Sequence, residues 1–141
     1  MDDNAVLDYP LAVVFGHLST PRYLGDWLPQ AGAVEDGPGP VDVGHAFSVR
    51  FSSDGSEGLA QGELIAYEPP SSVGYRLFVG PRPHVLRVTC TNAGPATRAR
   101  VHQPDDPTPL VVDLARLGRA LQARAARVLV EPAPSKTEAP A

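Results

Sequence analysis

The stretch TPLVVDLARLGRALQARAARVLV, Thr108–Val130, decides how the rest of the chain is read. Leu110, Leu114, Leu117, Leu121, Ala125 and Val128 recur at three- and four-residue steps and so share one stripe of an α-helix. Arg116, Arg119, Arg124 and Arg127 lie largely off that stripe. Such a helix needs an apolar partner surface. Its start is marked by Asp105, Asp106 and Thr108, which can accept bonds from the free first-turn amides, and by Pro107 and Pro109, where a missing donor costs little. Thr108 precedes a proline, which disfavours helical backbone there, so the spacing predicts the cap at Thr108. The clustered arginines toward the C-terminal end complement the helix dipole.

What lies upstream reads mostly as strands. Ala5 to Asp8 is a candidate edge strand, and Pro10 opens a helical pattern with Leu11, Val14, Phe15 and Leu18 on one face. Ser19, Thr20 and Pro21 then cap a second short helix, Pro21 to Leu28, which Pro29 stops. Ala33 to Glu35 is a brief strand, and the Gly/Pro-rich run Asp36 to Asp42 a loop. From Gly44 to Ser52 the chain alternates, with His45, Phe47, Val49 and Phe51 on one face. Asp54-Gly55 signals a hairpin. Along Leu59 to Glu68 the alternation places Leu59, Gln61, Glu63, Ile65 and Tyr67 together on one face. Val73, Tyr75, Leu77 and Val79 follow on one face; then Leu86, Val88 and Cys90; then Ala99 and Val101 opposite Arg98 and Arg100. Short turns join these strands, which implies an antiparallel meander. Residues 131–141, rich in Pro and Ala without apolar anchors, are expected to be a disordered tail after one domain over 1–130.

Composition narrows the function classes. A chain of 141 residues is one domain, large enough to bury about two-thirds of its unfolded surface. A net charge of −4 argues against nucleic acid as a partner. Residues 1–68 carry 11 acidic and 2 basic residues and the remainder 5 and 10, so the halves, −9 and +5, are expected to neutralise each other across the fold. The single cysteine excludes an internal disulfide. The start shows no basic-then-apolar signal and no apolar run nears the roughly 18 residues of a membrane span, so the expected compartment is the cytoplasm. His17, His45, His84 and His102 show no close spacing with Cys or carboxylates that would suggest zinc. Neither a Gly-x-Ser-x-Gly nucleophile motif nor a complete dinucleotide fingerprint is present. No metal and no cofactor are expected, and the chain is expected to be a monomer or weak dimer.

Several segments carry a resemblance: Tyr9-Pro10-Leu11-Ala12-Val13-Val14-Phe15; Arg22-Tyr23-Leu24-Gly25-Asp26-Trp27-Leu28-Pro29; Gly62-Glu63-Leu64-Ile65-Ala66-Tyr67-Glu68-Pro69-Pro70 with Val73-Gly74-Tyr75-Arg76-Leu77; and Ala96-Thr97-Arg98. In this order, over roughly residues 5 to 130, the chain resembles the START-like (SRPBCC) superfamily that includes polyketide cyclase/dehydrase-type proteins. The resemblance implies an α+β helix-grip fold: a curved antiparallel sheet of about six or seven strands wrapped around a long C-terminal helix, with two short helices after the first strand. It also implies an apolar cavity between sheet and helix and a small hydrophobic ligand. No catalytic residue carries over, because these motifs mark the fold and not an activity.

A curved sheet closed by such a helix commonly leaves a pocket of about 300–1,000 Å³. Its expected lining is Phe47, Val49, Ile65, Tyr67, Tyr75, Leu77, Leu86 and Val88 opposite Leu114, Leu117 and Leu121, with a filled core as the alternative. Glu63, if it points inward, would have its pKa raised by desolvation and become a general acid or base, or a ligand anchor, with a one-residue bulge or an exposed strand end as the alternative. Tyr75 is either a core residue bonded to backbone or a donor to a ligand carbonyl, and Trp27 is expected to pack as a lid over the mouth. Gly118 either admits a ligand or lets the sheet approach. Three readings stay open: a carrier of a polyketide-, lipid- or quinone-like molecule, a cyclase, aromatase or dehydratase using Glu63 or Tyr75, and a co-chaperone-like interaction domain using the sheet's outer arginines. Leu117→Trp is expected to abolish binding with little unfolding if the cavity is real.

Overall fold

The computed structural model describes residues 2–130, with 54, 105 and 107 excepted. The tail 131–141 expected to be disordered, the expected cap residue Asp105, and Pro107 lie outside them, as do the side chains of Arg127 and Val128. The element order is β1 (Asp2–Leu7), α1 (Leu11–Leu18), a 3₁₀ helix (Pro21–Asp26), β2 (Ala31–Asp36), β3 (Ala46–Ser53), β4 (Ser56–Glu68), β5 (Ser72–Val79), β6 (Arg82–Ala93), β7 (Ala96–His102) and α2 (Leu114–Val130). All seven strands form one antiparallel sheet in the order β1-β7-β6-β5-β4-β3-β2. The meander accounts for neighbours β2 to β7, since short turns allow only adjacent antiparallel pairing. β1 closes the far edge against β7, with Asp2 opposite His102.

The inward face is set by the period-2 alternation read from β3, β5, β6 and β7. One row crosses the sheet as Phe47, Gly62, Leu77 and His84, and the next as Leu64, Tyr75 and Leu86. α1, the 3₁₀ helix and α2 cover this face, and Val14, Leu18, Leu24, Trp27, Leu114, Leu117 and Leu121 enter the same hydrophobic cluster. Burial of so many large side chains, each worth about 1.5–3 kcal/mol, is the main term holding the domain together.

Three expectations need correction. First, α2 starts at Leu114, not after a cap at Thr108. The backbone between them is bonded elsewhere: the Gln103 side chain donates to the Leu110 carbonyl and accepts from its amide (2.8 and 2.7 Å), and the Asp113 amide donates to the Trp27 carbonyl (2.8 Å). Asp113 is therefore the cap, its Oδ1 accepting the Arg116 amide at 3.1 Å. Leu110 is buried without being helical. Second, the second short helix is 3₁₀ and ends at Asp26, short of Leu28. Third, the parity of β4 is reversed. Ala60, Gly62 and Leu64 face inward while Leu59 is 64% exposed, and a bulge between Leu64 and Ala66 returns Tyr67 to the inner side.

Candidate functional site: the core between sheet and helix

The β4 reversal decides the fate of Glu63. Its carboxylate lies on the outer face and accepts from Arg76 Nη1 at 2.8 Å, both side chains being about 40% exposed. It is therefore neither desolvated nor directed at the core. Ile65, at the bulge, is half-buried and lines an outer concavity of about 280 Å³ with Gly74, Arg87 and Thr89. The inward place in that row belongs to Gly62. A methyl group there would sit 2.4 Å from the Phe47 ring and 2.8 Å from Leu77, so the bare backbone is what seats the ring.

The remaining expected lining residues are brought together. Phe47, Val49, Tyr75, Leu77, Leu86 and Val88 from the sheet, and Leu114, Leu117 and Leu121 from α2, are all buried in one cluster, while Tyr67 is half-buried against it with its ring 6.0 Å from Phe15. Trp27 is fully buried within that cluster, 6.1 Å from Tyr75 centroid to centroid, so it is a core residue and not an exposed lid. Among the described residues, concavities of about 180–340 Å³ open along the strands and their loops.

Polar groups within this core have distinct states. The Tyr75 hydroxyl donates to the Leu18 carbonyl at 2.7 Å, and burial pushes its pKa well above 10. Cys90 is buried and its thiol is pushed up to about 11 by desolvation, which keeps it protonated and unreactive. Two buried polar atoms lack a partner among the described residues: Trp27 Nε1 and His45 Nδ1. They are joined by a run of rings: Trp27 to Tyr75 at 6.1 Å, Tyr75 to Phe47 edge-on at 6.1 Å, Phe47 to His45 at 6.5 Å. His45 Nε2 is bonded to Asp36 at 2.9 Å, so in the neutral ring Nε2 donates and Nδ1 is left as an acceptor. The core thus holds one unused donor and one unused acceptor among aromatic faces. Sequence alternation placed His45 inward beside Phe47, but no local signal showed that its second nitrogen would go unpaired.

Around the rim, α2 is tied to the 3₁₀ helix by polar contacts. Arg116 Nε donates to the Gly25 carbonyl at 2.8 Å, and the Arg124 guanidinium sits 4.2 Å from the centroid of Tyr23. Tyr23 stacks in turn on His17 at 4.2 Å, and His17 Nε2 is 2.5 Å from Asp26 Oδ2.

One antiparallel sheet gripping a C-terminal helix, with two short helices after the first strand, defines the helix-grip class, and the chain has the START-type fold. A START superfamily protein from Mycobacterium smegmatis superposes with a TM-score of 0.65 at 13% identity over 91% of this chain and 97% of that one. Ginseng major latex-like protein 151 from Panax ginseng gives 0.63 at 17% identity, covering 88% and 95%. The di-domain ARO/CYC BexL from the BE-7585A biosynthetic pathway gives 0.58 at 19% identity, covering 98% of this chain and 45% of that one. No protein-family model and no curated protein matches the sequence.

Proposed function

We propose that the protein binds a small, flat, hydrophobic molecule of polyketide- or quinone-like chemistry between the sheet and α2, replacing part of the packing now in the core. The observation that carries this reading is the unpaired pair Trp27 Nε1 and His45 Nδ1, both buried, at the ends of a run of aromatic rings. A buried polar atom without a partner costs about 1–3 kcal/mol. A conjugated ligand with a carbonyl for the indole N–H, or a hydroxyl for the imidazole, would remove that cost at the end it reaches while stacking on one of the rings between them. Entry requires α2 to lift, and the contacts that hold its rim, Arg116 to Gly25 and Arg124 to Tyr23, are surface contacts of modest strength.

The enzyme reading loses the residues it named, since Glu63 faces solvent and the Tyr75 hydroxyl is committed to Leu18. The interaction reading is weakened because Arg50, Arg76 and Arg100 on the outer face are paired with Glu57, Glu63 and Asp2.

The test uses the chain's single tryptophan as reporter. Titration with 1,4-naphthoquinone is expected to quench Trp27 saturably, and native mass spectrometry of protein from its expression host to show a releasable apolar adduct. Trp27→Phe, which keeps the ring contact and loses the donor, is expected to weaken quinone binding about 3- to 10-fold by mass spectrometry, the worth of one neutral hydrogen bond. Absence of both quenching and adduct sinks the proposal.

A further inference from the structure

A second group of side chains sits at the end of the inward row Phe47, Gly62, Leu77, His84. His84 Nδ1 is 2.6 Å from Asp106 Oδ2, with both side chains more than nine-tenths buried. Asp106 is itself fixed, since its other oxygen accepts the Thr108 amide at 3.0 Å. Burial works against its ionisation, but the bonds from His84 and Thr108 outweigh that and hold the carboxyl below the usual 3.8. A carboxylate on Nδ1 makes that nitrogen the donor and turns Nε2 into the basic atom of the ring. The bond to Asp106 is made through Nδ1, and Nε2 takes no part in it. His84 lines a cleft of about 340 Å³ together with Arg82, Thr108 and the apolar side chains of Val79, Leu110 and Val111. A histidine bonded through Nδ1 to a carboxylate, a cation and apolar walls thus border one cleft.

We propose that this cleft is a binding site for small molecules with a weakly acidic hydroxyl, a phenol or an enol, in which His84 Nε2 takes the proton and Arg82 faces the oxyanion. The balance is simple: the O–H bond breaks, its electron pair stays on oxygen, and the proton forms an N–H bond at Nε2. The resulting imidazolium donates through Nδ1–H to the Asp106 carboxylate. Asp106 acts as a positioning residue, and no oxidant or further reactant is needed. The site shares no side chain with the Trp27–His45 pair and stands whether or not that pair binds a ligand.

The probe is 4-nitrophenol, whose phenolate has its own visible absorption band. With the intact protein, at a pH where the free dye is mostly neutral, the bound dye is expected to show the phenolate band and to saturate. His84→Gln is expected to abolish the band and weaken binding at least tenfold. Arg82→Gln, at an exposed position whose change leaves the fold intact, is expected to weaken binding severalfold and shift the apparent dye pKa upward. Asp106→Asn is expected to lower the bound phenolate fraction more than the affinity, a split that loss of packing alone does not produce. Glu63→Gln serves as the unchanged control. Saturable binding of the neutral dye only, a phenolate band that survives His84→Gln, or no saturable binding overturns the proposal. Trp27 fluorescence read in the same titration reports the interior, so failure of one site is distinguished from failure of the other.

Discussion

At the scale of single residues, Gly62 and Glu63 carry opposite lessons from adjacent positions. Gly62→Ala forces a methyl group to within 2.4 Å of the Phe47 ring, so it is expected to destabilise the domain by about 1–3 kcal/mol, measured by chemical denaturation. Glu63→Gln breaks a half-exposed pair with Arg76 and is expected to change stability by less than about 1 kcal/mol and leave quinone binding unaltered. A loss of binding in that variant would return Glu63 to the site. The alternation of Leu59, Gln61, Glu63, Ile65 and Tyr67 suggested the reverse assignment because it collected the larger apolar residues on one face. The two faces of β4 are nearly balanced in hydrophobicity, and a one-residue bulge, the alternative weighed for Glu63, flips the parity partway along at a place that period-2 reading does not locate. Where one face was clearly apolar, as in β3, β5, β6 and β7, the apolar inward residues were legible, while the polar His84 and Thr97 that share those faces were not. The histidine pairs were not, because His17 and His45 find their aspartates nine residues away and His84 finds its own twenty-two away. No local periodicity connects such positions.

At the scale of elements, α2 was legible as a helix but not in its first turn. The Thr108 cap was chemically reasonable, yet Gln103, Gln30 and the Trp27 carbonyl compete for the intervening backbone and win, and those partners are tertiary. Within α2, Gly118 has only Leu7 near its missing Cβ, at 3.4 Å, an ordinary contact distance. Gly118→Ala is therefore expected to stabilise the domain by about 0.5–1 kcal/mol through helix propensity, seen as a rise of about 2–4 °C in Tm. The rim contact of α2 has a pH signature. Burial disfavours the His17 imidazolium, and Arg124 opposes it further, against the pull of Asp26, so the His17 pKa lies below 6.5. The unfolded chain then takes up its proton first as pH falls. Stability from this site is complete above about 6.5 and is lost as pH drops through the folded value. His17→Gln is expected to flatten the slope of unfolding free energy against pH just below 6.5; an unchanged slope would assign it to other groups. Arg22, Tyr23 and Arg124 are the other charged or titratable groups facing this pair.

At the scale of the whole molecule, the acidic and basic halves do meet across the sheet, through Arg76 with Glu63 and Arg100 with Asp2. The antiparallel meander was legible from element order and short turns, and the helix-grip layout through the resemblance, whereas the state of the interior was not, since it depends on how Trp27, Phe47 and Tyr75 pack together. Leu117 is fully buried among such neighbours, so Leu117→Trp overpacks the core and is expected to cost about 1–3 kcal/mol, where an empty cavity would have absorbed the ring. The pairing of β1 with β7 reaches further than statics. Asp2 meets His102, so β1 leaves the ribosome about a hundred residues before its sheet neighbour among the described residues exists. Closing so long a loop comes late and slowly. Until then β7, once made, presents an open edge, and during synthesis the nascent chain depends on β1 arriving before another strand does.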